Sequence, residues 1–193
     1  MGPSTDQTLG AWPDVSRWTR QRTVRLELTA TEPVVGWRQL ELLSELALAD
    51  VGRGEGQVRA ELRHALTSVA TELVENALHN APEGLGIELA ISTYRSTVCV
   101  ESRNRTTFES VQHLRSCFER MSVEAPEEMV RRTIEARAAE GSSRSGIGLY
   151  KLRSDHDLGL GARVSFDSDG ADVVVRAIID FPSSNQRMGR TPC

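Results

Sequence analysis

Glu72, Asn76 and Asn80 stand four residues apart in the stretch Glu72-Leu-Val-Glu-Asn-Ala-Leu-His-Asn80. On a helix each is turned only ~40° from the last, so a carboxylate and two amides form one polar stripe. The stripe runs beside Val69, Leu73 and Ala77, at the margin of an apolar face. Oxygen donors so placed suit a hydrated Mg²⁺, a hard cation that prefers oxygen ligands. Taken alone, the spacing belongs more often to the polar margin of an ordinary amphipathic helix. The second element is Gly141-Ser-Ser-Arg-Ser-Gly-Ile-Gly-Leu149. Small residues before a helix leave backbone N–H groups pointing outward, and the helix N-terminus adds positive potential, so phosphates can sit there. A plain turn and cap explains a lone G-x-G at least as often.

These residues need elements to hold them. From about Gln57 to Asn80, Val58, Leu62, Ala65, Leu66, Val69, Leu73 and Ala77 recur at steps of three and four, which predicts one long helix ended by Pro82 and Gly84. Before it, alternation over Thr23–Thr29 predicts a half-buried strand, and the leucines of Trp37–Ala49 a helix. After it, Gly86–Thr93 and Thr97–Ser102 read as a hairpin. Two short helical patterns follow, around Val111–Met121 and Met129–Ile134, in a segment of about 105–145 expected to be a mobile cover. A brief helix from Gly148 to about Asp155 precedes two strands, Ala162–Phe166 and Asp172–Ile179, joined at Ser168-Asp169-Gly170. The order implies an α+β fold, a two-layer sandwich with a mixed, mostly antiparallel sheet covered on one face by helices. Residues 1–20 read as a flexible N-terminal segment, 21–182 as a single domain and 183–193 as a disordered tail.

Composition narrows the function classes. The 193 residues are 39% hydrophobic and include 15 Gly, an ordinary globular content that supplies one sizeable core. A net charge of −4 gives no general attraction to nucleic acid or to an anionic membrane. No apolar run approaches the ~18 residues that span a bilayer, and residues 1–20 lack a signal peptide's apolar core. Cys99, Cys117 and Cys193 form no C-x-x-C, and an odd count suits reduced thiols, so a cytoplasmic location is expected.

Together the two chemical elements become specific. Glu72-Leu-Val-Glu-Asn-Ala-Leu-His-Asn-Ala-Pro-Glu-Gly84, then an alternating hairpin, then Ser145-Gly-Ile-Gly-Leu149 resembles the ATP-binding fold shared by gyrase, the 90-kilodalton heat-shock chaperone, histidine kinases and MutL, the GHKL group. The resemblance covers roughly residues 23–181. It implies that Asn76 chelates the Mg²⁺ of Mg-ATP and that Glu72 is the base that activates a water or hydroxyl. Ser145, Gly146, Ile147, Gly148 and Leu149 correspond to the box whose glycines lie against the triphosphate. The family usually ends the second hairpin strand with D-x-G-x-G, whose Asp accepts a hydrogen bond from the adenine amino group. Here Val98-Cys-Val-Glu-Ser-Arg-Asn104 puts Ser102 at the Asp position and Asn104 at the first Gly. Either can accept from an adenine amine, more weakly than a carboxylate. Glu101 should lie on the opposite face from Ser102.

A strand ending in S-x-N, a cover of about 40 residues and a Ser-rich approach to G-x-G-L is similar to the SiaB-like branch of the group, itself close to anti-sigma-factor kinases. That resemblance implies a Ser/Thr kinase acting on a STAS-domain partner with Mg-ATP. The competing readings are a non-catalytic or weakly ATP-binding module that sequesters a sigma factor or signalling protein, and a histidine-kinase catalytic domain. The third is disfavoured because the first histidine, His64, already lies inside the long helix. A homodimer stays open. His79, three residues after Asn76, could approach a phosphate or be an ordinary exposed histidine. Arg144 and Lys151 are expected in solvent. Glu75 points about 100° away from Asn76. His64, His113 and His156 show no ligand spacing.

Overall fold

The structure, a computed structural model, describes residues 6–16, 18–29, 37–49, 56–140, 147–156 and 158–181. In chain order the elements are β1 (Asp6–Gly10), β2 (Arg22–Thr29), α1 (Trp37–Ala47), α2 (Gly56–Asn80), β3 (Gly86–Thr93), β4 (Thr97–Thr106), α3 (Phe108–Val123), α4 (Pro126–Glu140), α5 (Ile147–His156), β5 (Gly159–Phe166) and β6 (Ala171–Asp180). The strands form one sheet in the order β1-β5-β6-β4-β3-β2, and all five pairings are antiparallel. The result is a mixed α+β architecture, a sheet layer under a helix layer, as the element order implied.

The alternation of apolar residues sets which way the sheet faces. Ile87, Leu89 and Ile91 of β3, Val98 and Val100 of β4, and Val173, Val175, Ala177 and Ile179 of β6 are buried beneath the helices. Pairing of Leu89 with Ser102 and of Ser102 with Val175 places Ser102 on this same face, near the middle of the sheet. Leu62, Leu66, Val69, Leu73 and Ala77 bring the apolar stripe of α2 down onto it. The stripe stops at Asn80. Pro82 cannot extend the ladder, and Gly84 turns the chain at φ +80°, a left-handed value that glycine tolerates.

Three expectations need correction. Residues 1–20 are not simply a flexible segment, because Asp6–Gly10 pairs with β5 and Leu9 joins the main core. Five residues with one buried apolar side chain carry too little alternation to announce a strand. Secondly, β4 runs on to Thr106 rather than stopping at Ser102. Arg103 and Arg105 interrupt the apolar pattern, yet their backbone pairs with Val174 and Asp172 throughout. Thirdly, the first half of the 105–145 segment is not a mobile cover. Thr107 caps α3 by accepting from the Ser110 N–H, and Val111, Cys117, Phe118 and Met121 bury one face of that helix. Residues 183–193 lie outside the described residues. Among the described residues no helix is long and apolar enough to cross a membrane.

Candidate functional site

The polar stripe of α2 and the start of α5 meet. A Cβ built on Gly148 would stand 1.9 Å from Glu72 Oε2, 2.9 Å from Glu72 Cδ and 3.5 Å from Asn76 Nδ2. Only a residue without a side chain lets the first turn of α5 approach the two α2 residues so closely. The positive end of α5 therefore faces the Glu72 carboxylate. Burial pushes the Glu72 carboxyl above the usual carboxylate range. Nearby Glu75 pushes it further, and Lys151 opposes both. A half-buried carboxyl with a raised proton affinity is the kind of group that takes a proton well near neutral pH.

Asn76 and Asn80 are fixed by the helix that carries them. Nδ2 of Asn76 donates to the Glu72 carbonyl and Nδ2 of Asn80 to the Asn76 carbonyl, each at 2.7 Å. With the N–H ends spent on the backbone, the Oδ1 atoms are the ends left to bind. An amide oxygen is a suitable ligand for Mg²⁺, which commonly takes only one or two protein oxygens beside water and phosphate. Among the described residues there is no group of three or more His, Cys, Asp or Glu side chains able to hold a metal. Any cation here would lean on Asn76 and on the oxygens of its own ligand.

Beside this junction lies a cavity of about 230 Å³ between α2, α3, the first turn of α5 and strands β4 and β6. Leu73, Ala77, Leu114, Leu149, Val173 and Val175 form apolar walls, with Ser102, Asn104 and Thr106 of β4 as a polar side. Asn76, His79 and Asn80 line its α2 flank, and Glu109, Ser110 and His113 of α3 its other flank. Thr106 Oγ1 donates to the Asn80 carbonyl at 2.7 Å, tying the last turn of α2 to β4. Asn104 Nδ2 donates to the Arg105 carbonyl at 3.0 Å. Cys117 also faces the cavity, but burial lifts its thiol to about 11 despite a hydrogen bond with Tyr150, so it stays protonated and acts as apolar wall.

Six sequence-derived candidates thus surround one cavity: Asn76, His79, Asn80, Ser102, Asn104 and Leu149. Glu72 and Gly148 meet one turn or one residue away from the lining residues Asn76 and Leu149. Ser145 and Gly146, with Arg144, lie outside the described residues, and of Ile147 only the backbone, at the start of α5, is described. Glu101 is on the other face of the sheet, where its Oε1 accepts from Arg176 Nη2 at 2.8 Å. Glu75 and Lys151 are exposed. Sequence reasoning missed Thr106, Glu109 and His113. Thr106 continues the alternation from Ser102 and Asn104, and Glu109 and His113 sit one helical turn apart. Both signals required knowing that β4 extends and that α3 is packed.

No protein-family model matches the chain, and no curated protein matches its sequence. Among solved structures, a chain of the SiaB–SiaC complex from Pseudomonas aeruginosa has a similar fold, with a TM-score of 0.55 over 86% of this chain and 94% of that one. The identity between the two is 12%, so the likeness shows the fold.

Proposed function

We propose that this chain is a regulatory protein Ser/Thr kinase of the SiaB and anti-sigma type, using Mg-ATP to phosphorylate a small STAS-like signalling partner. The observation that carries the reading is the close approach of Gly148 to Glu72 and Asn76, beside a cavity with apolar walls that Asn76 and Leu149 line. The site fits such a ligand on its own chemistry: a glycine in the first turn of α5 with no room for a Cβ against Glu72, an amide oxygen free for a hard cation, and an apolar-walled cavity for a base. Support from outside the chain is the fold likeness to a chain of a complex of SiaB with a protein partner.

Bound Mg-ATP would supply the γ-phosphoryl group, with the metal neutralising charge on the phosphate oxygens. The protein's share is position and proton transfer. Asn76 would hold the metal through Oδ1, and backbone N–H groups at the start of α5 would hold phosphate oxygens. The partner's Ser or Thr hydroxyl oxygen forms a bond to the γ-phosphorus while the bond to the bridging oxygen breaks and ADP departs. Glu72 accepts the hydroxyl proton.

Glu72→Gln tests this. The amide nearly matches the carboxylate in size, so Mg-ATP binding should persist. Transfer of labelled phosphate to a STAS-domain protein should fall by about 10²–10⁴-fold, the usual worth of a positioned base. Unchanged transfer removes Glu72 from the chemistry. Acid-labile rather than acid-stable phosphate on the partner would point to a histidine kinase.

One observation favours a second reading. The polar side of the cavity offers neutral groups, Ser102 and Asn104, where a carboxylate would grip an adenine amine more strongly. A partner-switch module that binds ATP weakly, and sequesters its partner without modifying it, fits that feature. Wild-type protein that binds its partner but never labels it would select this alternative.

A further inference from the structure

Ser102 is 1% exposed and lines the cavity. A ligand that enters the cavity meets the hydroxyl of this residue on the β4 wall. Two positions along β4, on the same face, Asn104 is 6% exposed, and its Nδ2 is committed to the Arg105 carbonyl. That commitment orients the amide and presents Oδ1 as a fixed acceptor. The hydroxyl, by contrast, rotates and can donate or accept. The β4 wall therefore offers one fixed acceptor beside one adaptable group, both uncharged, and the carboxylate of the cavity, Glu109, belongs to the α3 flank.

We infer that this wall makes the pocket a purine site that does not choose between adenine and guanine. The inference rests on the nucleotide reading proposed above and concerns which nucleotide that site takes. Adenine presents an amino donor where guanine presents the O6 acceptor, and guanine adds ring and exocyclic N–H donors beside it. Asn104 Oδ1 can accept from the adenine amino group or from the guanine N–H groups. Ser102 Oγ can donate to a ring nitrogen of adenine or to O6 of guanine. Both bases then satisfy both wall groups. A carboxylate at position 102 would accept only, and it would repel O6. Discrimination of that kind arises when a wrong ligand leaves a buried polar group unpaired, and neither purine does so here. The apolar walls, Leu73, Ala77, Val173 and Val175 among them, offer the flat faces no basis for choice either.

Equilibrium binding of ATP and GTP to the full chain, each with Mg²⁺, tests the inference. The expected result is two dissociation constants within tenfold of each other. Ser102→Asp should then create a preference for ATP of at least tenfold, because the new carboxylate accepts from the amino group and opposes O6. A wild-type preference above tenfold in either direction overturns the inference while leaving the nucleotide reading standing. Failure of both nucleotides to bind overturns the nucleotide reading and the inference with it. A folded Ser102→Asp chain, checked by its melting transition, that shows no change in relative affinity also overturns it, since the wall would not be reading the base. Should that variant not fold, the wild-type ratio still decides.

Discussion

Asn76 and Gly148 define what single side chains do at the candidate site. Asn76 is half-buried at the edge of the α2 stripe, and its own hydrogen bond is to the helix carbonyl of Glu72. Replacing it with Ala removes the Oδ1 ligand and little else, since its neighbours Leu73 and Ala77 carry the packing. Asn76→Ala should keep the melting temperature within a few degrees and lose Mg²⁺-dependent nucleotide binding; unchanged nucleotide affinity would remove the metal-ligand assignment. Gly148→Ala acts differently. The new methyl would stand 1.9 Å from Glu72 Oε2, the far end of a flexible side chain that can swing aside. We expect a stability loss of about 1 kcal/mol, at the low end of overpacking, but a large loss of phosphoryl transfer because the carboxylate is displaced. A variant as active as the wild type would show that the Glu72 position seen here is not the working one. The i, i+4 spacing made Glu72, Asn76 and Asn80 legible in the sequence. The contact with Gly148 was not legible from spacing, because it joins residues 76 positions apart through the packing of α5 on α2.

Strands β2, β3, β5 and β6 and helices α1 and α2 were readable because each has a clean period, two for a strand and near 3.6 for a helix, and α5 was placed by the glycines at its start. β4 and α3 were only partly readable, and for opposite reasons. Arg103 and Arg105 broke the apolar alternation of β4, yet the sheet's far face tolerates them as partners of acids. Arg105 donates to both carboxylate oxygens of Asp167, at 2.6 Å each, and Asp167 also accepts from the Asp169 N–H. This pair fastens the end of β4 to the β5–β6 turn and holds the Asp167 carboxyl down at about 2, against 3.8 for a free one. A depressed carboxyl contributes stability that is present above its unfolded value and lost as pH falls through its folded one. The melting-temperature gap between wild type and Asp167→Asn should therefore be largest above about pH 4 and close toward pH 2. A gap that does not move with pH would mean that charge plays no part in the tie. In α3 the apolar residues were visible at helical spacing, but nothing local announced that they face a core. Phe118 is buried there beside the left-handed Gly10, whose added Cβ would strike the ring at 2.5 Å. Phe118→Ala should cost ~3–5 kcal/mol by thermal or denaturant unfolding, the range for a buried aromatic, and a loss below about 1 kcal/mol would restore the view of α3 as a loose cover.

The chain's N-terminal part ties together both layers of the molecule. From β1, which adds an edge strand beside β5, it crosses to the face of the sheet away from the helices. Gly161 makes the crossing possible: a Cβ there would lie 2.7 Å from the Ala11 carbonyl oxygen. Trp12 then packs under two guanidinium groups, Arg176 at 3.9 Å and Arg163 at 4.6 Å from the ring centre. Arg176 also donates to the Pro13 carbonyl and to Glu101. Val15 packs on the small cluster of Tyr94, Cys99 and Ile178, and Trp18 meets Tyr94 edge-on at 5.3 Å. None of this has a periodic signature, because the contacts alternate between a strand edge and isolated aromatics, so the sequence alone reads as a polar tail. Deleting residues 1–18 puts the two descriptions in competition. A flexible segment would leave stability unchanged. The observed contacts predict a loss of several kcal/mol: Leu9 is worth ~1.5–3 kcal/mol as a buried side chain, and each cation–π contact with Trp12 adds ~0.5–2 kcal/mol. At ~2–4 °C per kcal/mol for a chain of this size, the melting temperature should drop by roughly 5–30 °C. The deletion also exposes the β5 edge and an apolar patch at Tyr94 and Ile178, so the shortened chain should self-associate more readily at high concentration. Trp12→Ala alone should lower the melting temperature by only a few degrees, since it removes the ring and keeps the strand. A shortened chain that melts within a degree of the full one would show that β1 and the crossing segment contribute nothing to the fold, and that the helix layer and five strands stand without them.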